Sequence, residues 1–167
     1  MKKAQAFALF LCITFLALAD DVEGFWTTLN EDTGKPSSLI AIYPYEGNYY
    51  GRIIATYNKK GVMDDSIYHP KDRAPKIEGH PYYSGLDIVW NMKPKKSGKC
   101  KGFIIDPTKG NTYRAEIWRD GINLILRGKL FIFGKNITWP PFPESGFTEE
   151  FKKPDLSTFI PKEPITI

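Results

Sequence analysis

The sequence predicts an all-β protein, a small antiparallel up-and-down β-barrel of about eight strands with a long loop at 59–83 and a proline-rich C-terminal tail. Apolar residues recur with a period of two, not 3.6, through most of residues 24–139, which is the pattern of a sheet with one buried face. The intervening segments are short and rich in turn formers. The chain of 167 residues, with 4 Trp, 9 Tyr, 11 Phe and 14 Gly, suits one folded β-rich domain rather than a disordered chain. That length also excludes a multidomain enzyme.

Residues 1–19 read as a secretory signal peptide. Met1-Lys2-Lys3 supplies positive charge, the apolar run over 4–18 is broken by Gln5 and Thr14, and Ala17-Leu18-Ala19 is a small-x-small cleavage site. A transmembrane anchor needs roughly 20 apolar residues, and this run stops at Asp20-Asp21. Cys12 follows Leu11 rather than a small residue, which argues against lipid attachment. Cleavage removes Cys12 and leaves Cys100 alone, so no intramolecular disulfide forms, and Cys100 reads as a small buried hydrophobe. The expected product is exported, to the periplasm or outside the cell, with no transmembrane segment after cleavage. Loss of Lys2 and Lys3 brings the formal charge of +4 close to neutral. A chain so balanced has no global field for nucleic acid, and none is expected as a partner.

The barrel domain is expected over 20–139, with strands at 24–30, 37–44, 48–58, 85–92, 100–106, 111–119, 122–128 and 129–139. The first pair is joined by Asp32-Thr33-Gly34-Lys35, the second by Tyr45-Glu46-Gly47, and later ones by 94–98, 106–110 and Asp120-Gly121. Aspartate-glycine tolerates the positive φ that a two-residue hairpin demands. Alternation assigns Tyr49, Gly51, Ile53, Ala55 and Tyr57 to one face of the third strand, Tyr113, Ala115 and Ile117 to that of the sixth, and Ile122, Leu124 and Leu126 to that of the seventh. One apolar face with small inward residues suits a sheet that curls closed, although a two-sheet sandwich shares the local pattern.

Two segments break the rhythm. Residues 59–83 carry Pro70, Pro75, Pro81 and both histidines, and a connection that long is usually functional or disordered. Residues 140–167 hold six prolines, a candidate helical turn at 148–153, and enough Phe, Leu and Ile for part of this extension to pack along the barrel.

The chain resembles the small exported bacterial proteins of the domain of unknown function 2147 family. The resemblance rests on Gly24-Phe25-Trp26, Tyr50-Gly51-Arg52-Ile53, His69-Pro70-Lys71-Asp72-Arg73, and above all the hairpin from Gly102 through Asp106-Pro107 and Gly110 to Tyr113. Leu124 to Gly128 and Gly134 to Trp139 resemble the family's last two strands. What this implies is a lipocalin-like barrel; it implies no secure biochemical activity.

Trp26 after Gly24, with Arg127 late in the sheet, looks like the lipocalin-like arrangement in which an arginine covers a tryptophan at the closed end, a structural cation–π contact. Gly102, Asp106, Pro107 and Gly110 read as hairpin chemistry, since an aspartate before proline commonly accepts hydrogen bonds within its own turn. No catalytic residue is assigned. His69 and His80 lack the spacing of a metal site, so neither metal nor cofactor is expected. Lys93, Lys95, Lys96, Lys99 and Lys101 crowd one turn, where lysines keep sheet edges from pairing with strangers; contact with anionic lipid or polysaccharide is the alternative reading. Asn136-Ile137-Thr138 is a glycosylation triplet, relevant only in a eukaryotic pathway.

The leading expectation is a non-enzymatic barrel that binds a small apolar or amphipathic molecule, or an envelope component, with Tyr49, Tyr57, Trp90, Tyr113 and Trp139 lining the site. The alternative is a structural or protein-interaction module of the envelope or cell surface that uses the long loop and the Pro-rich tail. A third reading is a small hydrolase pairing Asp106 with His69 or His80.

Overall fold

A computed structural model describes residues 21–128 and 136–167. The signal-peptide reading of 1–19 and the first part of the strand expected at 129–139 lie outside the described residues. Among the described residues, nine strands form one antiparallel sheet: β1 (Gly24–Leu29), β2 (Pro36–Tyr45), β3 (Asn48–Tyr57), β4 (Met63–Ser66), β5 (Asp87–Pro94), β6 (Cys100–Asp106), β7 (Asn111–Asp120), β8 (Asn123–Gly128) and β9 (Asn136–Trp139). Eight follow in the order β1-β2-β3-β5-β6-β7-β8-β9, and β4 lies off that path against β3. The chain after β9 returns to β1. Thr27 donates its amide to the Pro140 carbonyl at 2.9 Å, and Phe142 donates to the Phe25 carbonyl at 2.8 Å. One continuous sheet thus curls until its ends meet, a nearly closed eight-strand barrel rather than a sandwich.

Turn chemistry sets the register. Between β2 and β3, Glu46 and Gly47 take φ of 48° and 79°, the paired left-handed conformation that matches the twist of the flanking strands. The β7–β8 turn falls one residue later than the sequence suggests. Asp120 pairs with Asn123, so Ile122 sits in the turn, 71% exposed, rather than facing inward.

Trp26, Ile40, Ile42, Ile53, Val89, Met92, Ile117, Leu124, Leu126 and Trp139 belong to one buried cluster inside the barrel. β3 departs from simple alternation. Leu39 pairs with Ala55 but Ile40 with Ile53, which leaves Ile54 as an extra residue. This bulge reverses the faces beyond it. Gly51 faces Ile42 and Val89, whereas Ala55 and Tyr57 join Ile54 in a second apolar cluster on the outside.

The tail covers that outer cluster. Phe142, Phe147, Phe151, Leu156 and Phe159 pack with Phe25, Leu39, Ala41 and Ile54. The helical turn expected at 148–153 does not form; short 3-10 turns occur at Glu144–Gly146 and Leu156–Thr158. Instead Thr148 and Phe151 close a tight turn, the Phe151 amide donating to the Thr148 hydroxyl at 3.1 Å, and the Phe151 ring is pressed onto the barrel.

The long loop is tied down as well. β4 escaped sequence reading because Asp64-Asp65 interrupts apolar alternation. Asp65 is 2% exposed, and its carboxylate accepts from the amides of Lys71 and Asp72 at 2.9 and 2.8 Å and from the Ser84 hydroxyl. Ala74 and Ile77 then enter the interior cluster. No helix among the described residues is long and apolar enough to cross a membrane.

Candidate functional site

Inward side chains of the described strands pack in one buried cluster, and concave features lie on the outside of the barrel. A groove of about 490 Å³ opens between residues 77–87 and 162–165. Ile77, Pro81, Tyr82, Leu86, Pro164 and Ile165 give it apolar walls, and Glu78, Ser84, Asp87, Lys162 and Glu163 supply polar groups. Its floor reaches the core, because Ile77 and Leu86 both belong to the interior cluster. The walls are fixed by backbone pairing: Glu78 donates to the Ile165 carbonyl at 2.8 Å, Ile167 to that of Lys76 at 3.1 Å, and Ile77 bridges Thr166.

One edge of the groove is built on a buried charge. Asp87, 1% exposed, accepts from the Tyr43 hydroxyl at 2.7 Å, from Arg52 Nε at 2.9 Å and Nη2 at 2.8 Å, and from the Lys162 amide at 2.8 Å. Arg52 also donates to the Ile160 carbonyl at 2.8 Å and lies 4.5 Å from the centre of the Phe159 ring. Burial and the neighbouring Asp87 carboxylate push the Tyr43 hydroxyl well above its usual range, so it stays protonated and donating. This cluster was not legible in the sequence: Tyr43, Arg52 and Asp87 lie on three strands, and the tail groups they hold lie more than seventy residues beyond Asp87. A weak signal existed in Arg52, a charge inside an otherwise apolar strand.

The five aromatics expected to line one cavity do not converge. Trp139 is buried in the interior cluster and Tyr49 packs at its margin. The Tyr49 hydroxyl donates to Asp21 at 3.2 Å, and burial, aided by Asp21, pushes it up to about 12. Tyr113 is half-buried on the inward side of β7 beside Ile104. Tyr57 is turned outward by the β3 bulge. Trp90 is also outside, its ring 4.9 Å from that of Tyr50.

The cation over Trp26 is not the expected one. Arg119 lies 4.8 Å from the Trp26 ring, and Arg127 is exposed on the outer face of β8. Alternation explains the difference, since Arg119 follows Ala115 and Ile117 on the inward side, whereas Arg127 follows Leu126. Trp26 itself donates to the Val22 carbonyl at 3.1 Å, and Gly24 lies against its ring. Asp106 accepts from the amides of Thr108 and Lys109 at 2.9 and 3.1 Å, the turn role of its Pro107 hairpin. Gly110 closes that turn, donating to the Asp106 carbonyl at 2.8 Å, and packs against Lys76. His69 is bridged to Ser66, and the His80 carbonyl accepts from Arg73. Neither histidine is bonded to Asp106 among the described residues. Among those residues no group of three or more His, Cys, Asp or Glu is placed to hold a metal ion. Cys100 is buried, and that burial, with Asp21 adding to it, pushes its thiol up to about 11.

Barrel order and hairpin register define the class: a small antiparallel barrel of lipocalin-like build. The chain belongs to the family described as uncharacterised proteins conserved in bacteria, DUF2147, whose model matches residues 24–140. Among solved structures it is similar to protein HP1028 from the human pathogen Helicobacter pylori, described as belonging to the lipocalin family, at 14% identity, with 82% of this chain and 94% of that chain covered and a TM-score of 0.61. No curated protein matches the chain.

Proposed function

We propose that this protein is an exported, non-catalytic binding barrel whose ligand, a small amphipathic molecule, occupies the groove between the long loop and the tail rather than the barrel interior. The observation that carries this reading is an apolar-walled groove of about 490 Å³ set against the buried interior cluster, within the size range of small-molecule sites. Polar groups at its rim, Lys162, Glu78 and Glu163, orient a head group, and the apolar tail of the ligand lies over Leu86 and Ile165. The lipocalin description of the H. pylori structure favours the same class of function. The interaction-module alternative gains less support, because the tail aromatics face the barrel.

Titration with the neutral apolar fluorophore N-phenyl-1-naphthylamine tests the groove. Saturable binding is expected, and Ile165→Asp should abolish it; Ile165 is 60% exposed, so the fold tolerates the change. Equal binding by the variant, or none by either protein, overturns the reading. Export is tested by N-terminal sequencing of the protein recovered from the extracytoplasmic fraction of a bacterial host, where a start at Asp20 is expected.

A further inference from the structure

Beyond Asp87, which the tail meets through Lys162, the outer faces of β5 to β8 carry a different chemistry. Cross-strand pairing lays the residues in rows. Trp90 pairs with Phe103, and Phe103 with Arg114. Two residues along β6 and β7, across the β5 bulge, Lys93 pairs with Lys101, Lys101 with Glu116, and Glu116 with Arg127. Between the rows lies a groove of about 330 Å³ that Lys95 and Asn91 also line.

Its floor is backbone, at Gly102 and Ala115. A Cβ on Gly102 would stand 2.5 Å from the Trp90 carbonyl oxygen and 2.6 Å from that of Asn91. The glycine therefore lets the β5 bulge, where Asn91 takes a φ of 52°, fold close over β6.

The groove lining is strongly one-signed, with Lys93, Lys95, Lys101 and Arg114 against one carboxylate. Glu116 is the single carboxylate among the residues lining the groove, and it is already held by Lys101 at 2.8 Å with Lys99 at 4.0 Å. Hydrogen bonding from Lys101 holds the Glu116 carboxyl below its usual range. Lys93, Lys95 and Arg114 have no ion-pair partner among the described residues. The whole chain has 23 Lys and Arg against 19 Asp and Glu, so this concentration of cations leaves the rest of the protein close to balance. Clustering that the linear sequence shows as a lysine-rich turn becomes, in the fold, a basic groove with an aromatic side.

We infer that this groove binds an acidic oligosaccharide, a chain of carboxylated sugars whose charges meet Lys93, Lys95 and Arg114 while one sugar ring lies on Phe103. Phe103 is 38% exposed. The Lys99 ammonium caps the Trp118 ring at 4.0 Å and Tyr50 packs against Trp90, so there is no run of free rings on which successive bases of a single strand would stack. A recessed groove with a backbone floor also suits a threaded chain better than the flat head-group plane of a membrane.

The test is affinity of the purified chain at low ionic strength for three probes: oligogalacturonate, oligothymidylate and phosphatidylglycerol vesicles. Oligogalacturonate is expected to bind best, and Lys93→Gln with Arg114→Gln to weaken it by roughly tenfold. Phe103→Ala should weaken binding while leaving its salt dependence unchanged, because that contact carries no charge. All three positions are solvent-facing, and near-ultraviolet circular dichroism verifies that the variants are folded. Failure of oligogalacturonate to bind, equal binding by the double variant, or tighter binding of either other probe overturns the inference.

Discussion

At the scale of single residues, which face a side chain occupies decides its role. Arg119 covers the Trp26 ring, and a cation over an indole is worth about 0.5–2 kcal/mol according to burial. Arg119→Ala should therefore lower stability by about that amount in urea denaturation, whereas Arg127→Ala should stay within about 0.5 kcal/mol of the parent, as solvent-facing changes usually do. Gly102→Ala places a methyl group against two backbone carbonyls that cannot swing aside, and a loss of about 1–3 kcal/mol is expected for such overpacking. Cys100 gives a pH signature. Its thiol is raised from 9.0 to about 11 in the folded chain, so above pH 9 the unfolded chain loses this proton first. The contribution to stability is complete below pH 9 and is lost as pH rises towards 11, by on the order of 2 kcal/mol. Cys100→Ala should remove that part of the alkaline slope in denaturation curves recorded across this window.

Among elements, the tail and β5 are joined through Asp87. Replacing it with alanine leaves Arg52 without its partner and frees the Lys162 amide, a change that typically costs about 3–5 kcal/mol in a buried pair. Asp87→Ala should also make residues 153–167 sensitive to trypsin under conditions where the parent resists, and equal resistance of the two proteins would refute this linkage. How much was legible varied with the range of the interaction. The β6 span, the β2–β3 and β6–β7 turns and the inward set Ala115, Ile117, Leu124 and Leu126 follow from alternation and local turn chemistry. The Ile54 bulge inserts a single residue without a strong local signature, and so Tyr57 reads as inward when it faces out. β4 was hidden because Asp65 is buried for its hydrogen bonds rather than as part of an apolar pattern. The groove and the Asp87 cluster join segments far apart in sequence, and no local period encodes such a meeting.

For the molecule as a whole, the tail and barrel share one outer core, since Phe151 and Phe159 bury the same β2 and β3 residues that face away from the interior. Heating should give a single calorimetric transition in which tail and barrel unfold together. Deleting residues 141–167 should uncover Phe25, Leu39 and Ile54 and yield a protein that binds 1-anilinonaphthalene-8-sulfonate strongly; a truncated chain that stayed dark with this dye would show the tail to be dispensable to the core.

The place where the sheet meets itself has one more effect. Pro140 and Pro141 lie opposite β1 there and have no N–H to offer. A strand from a neighbouring copy that met β1 at that seam would find two residues without N–H donors there, which disfavours edge-to-edge pairing between copies.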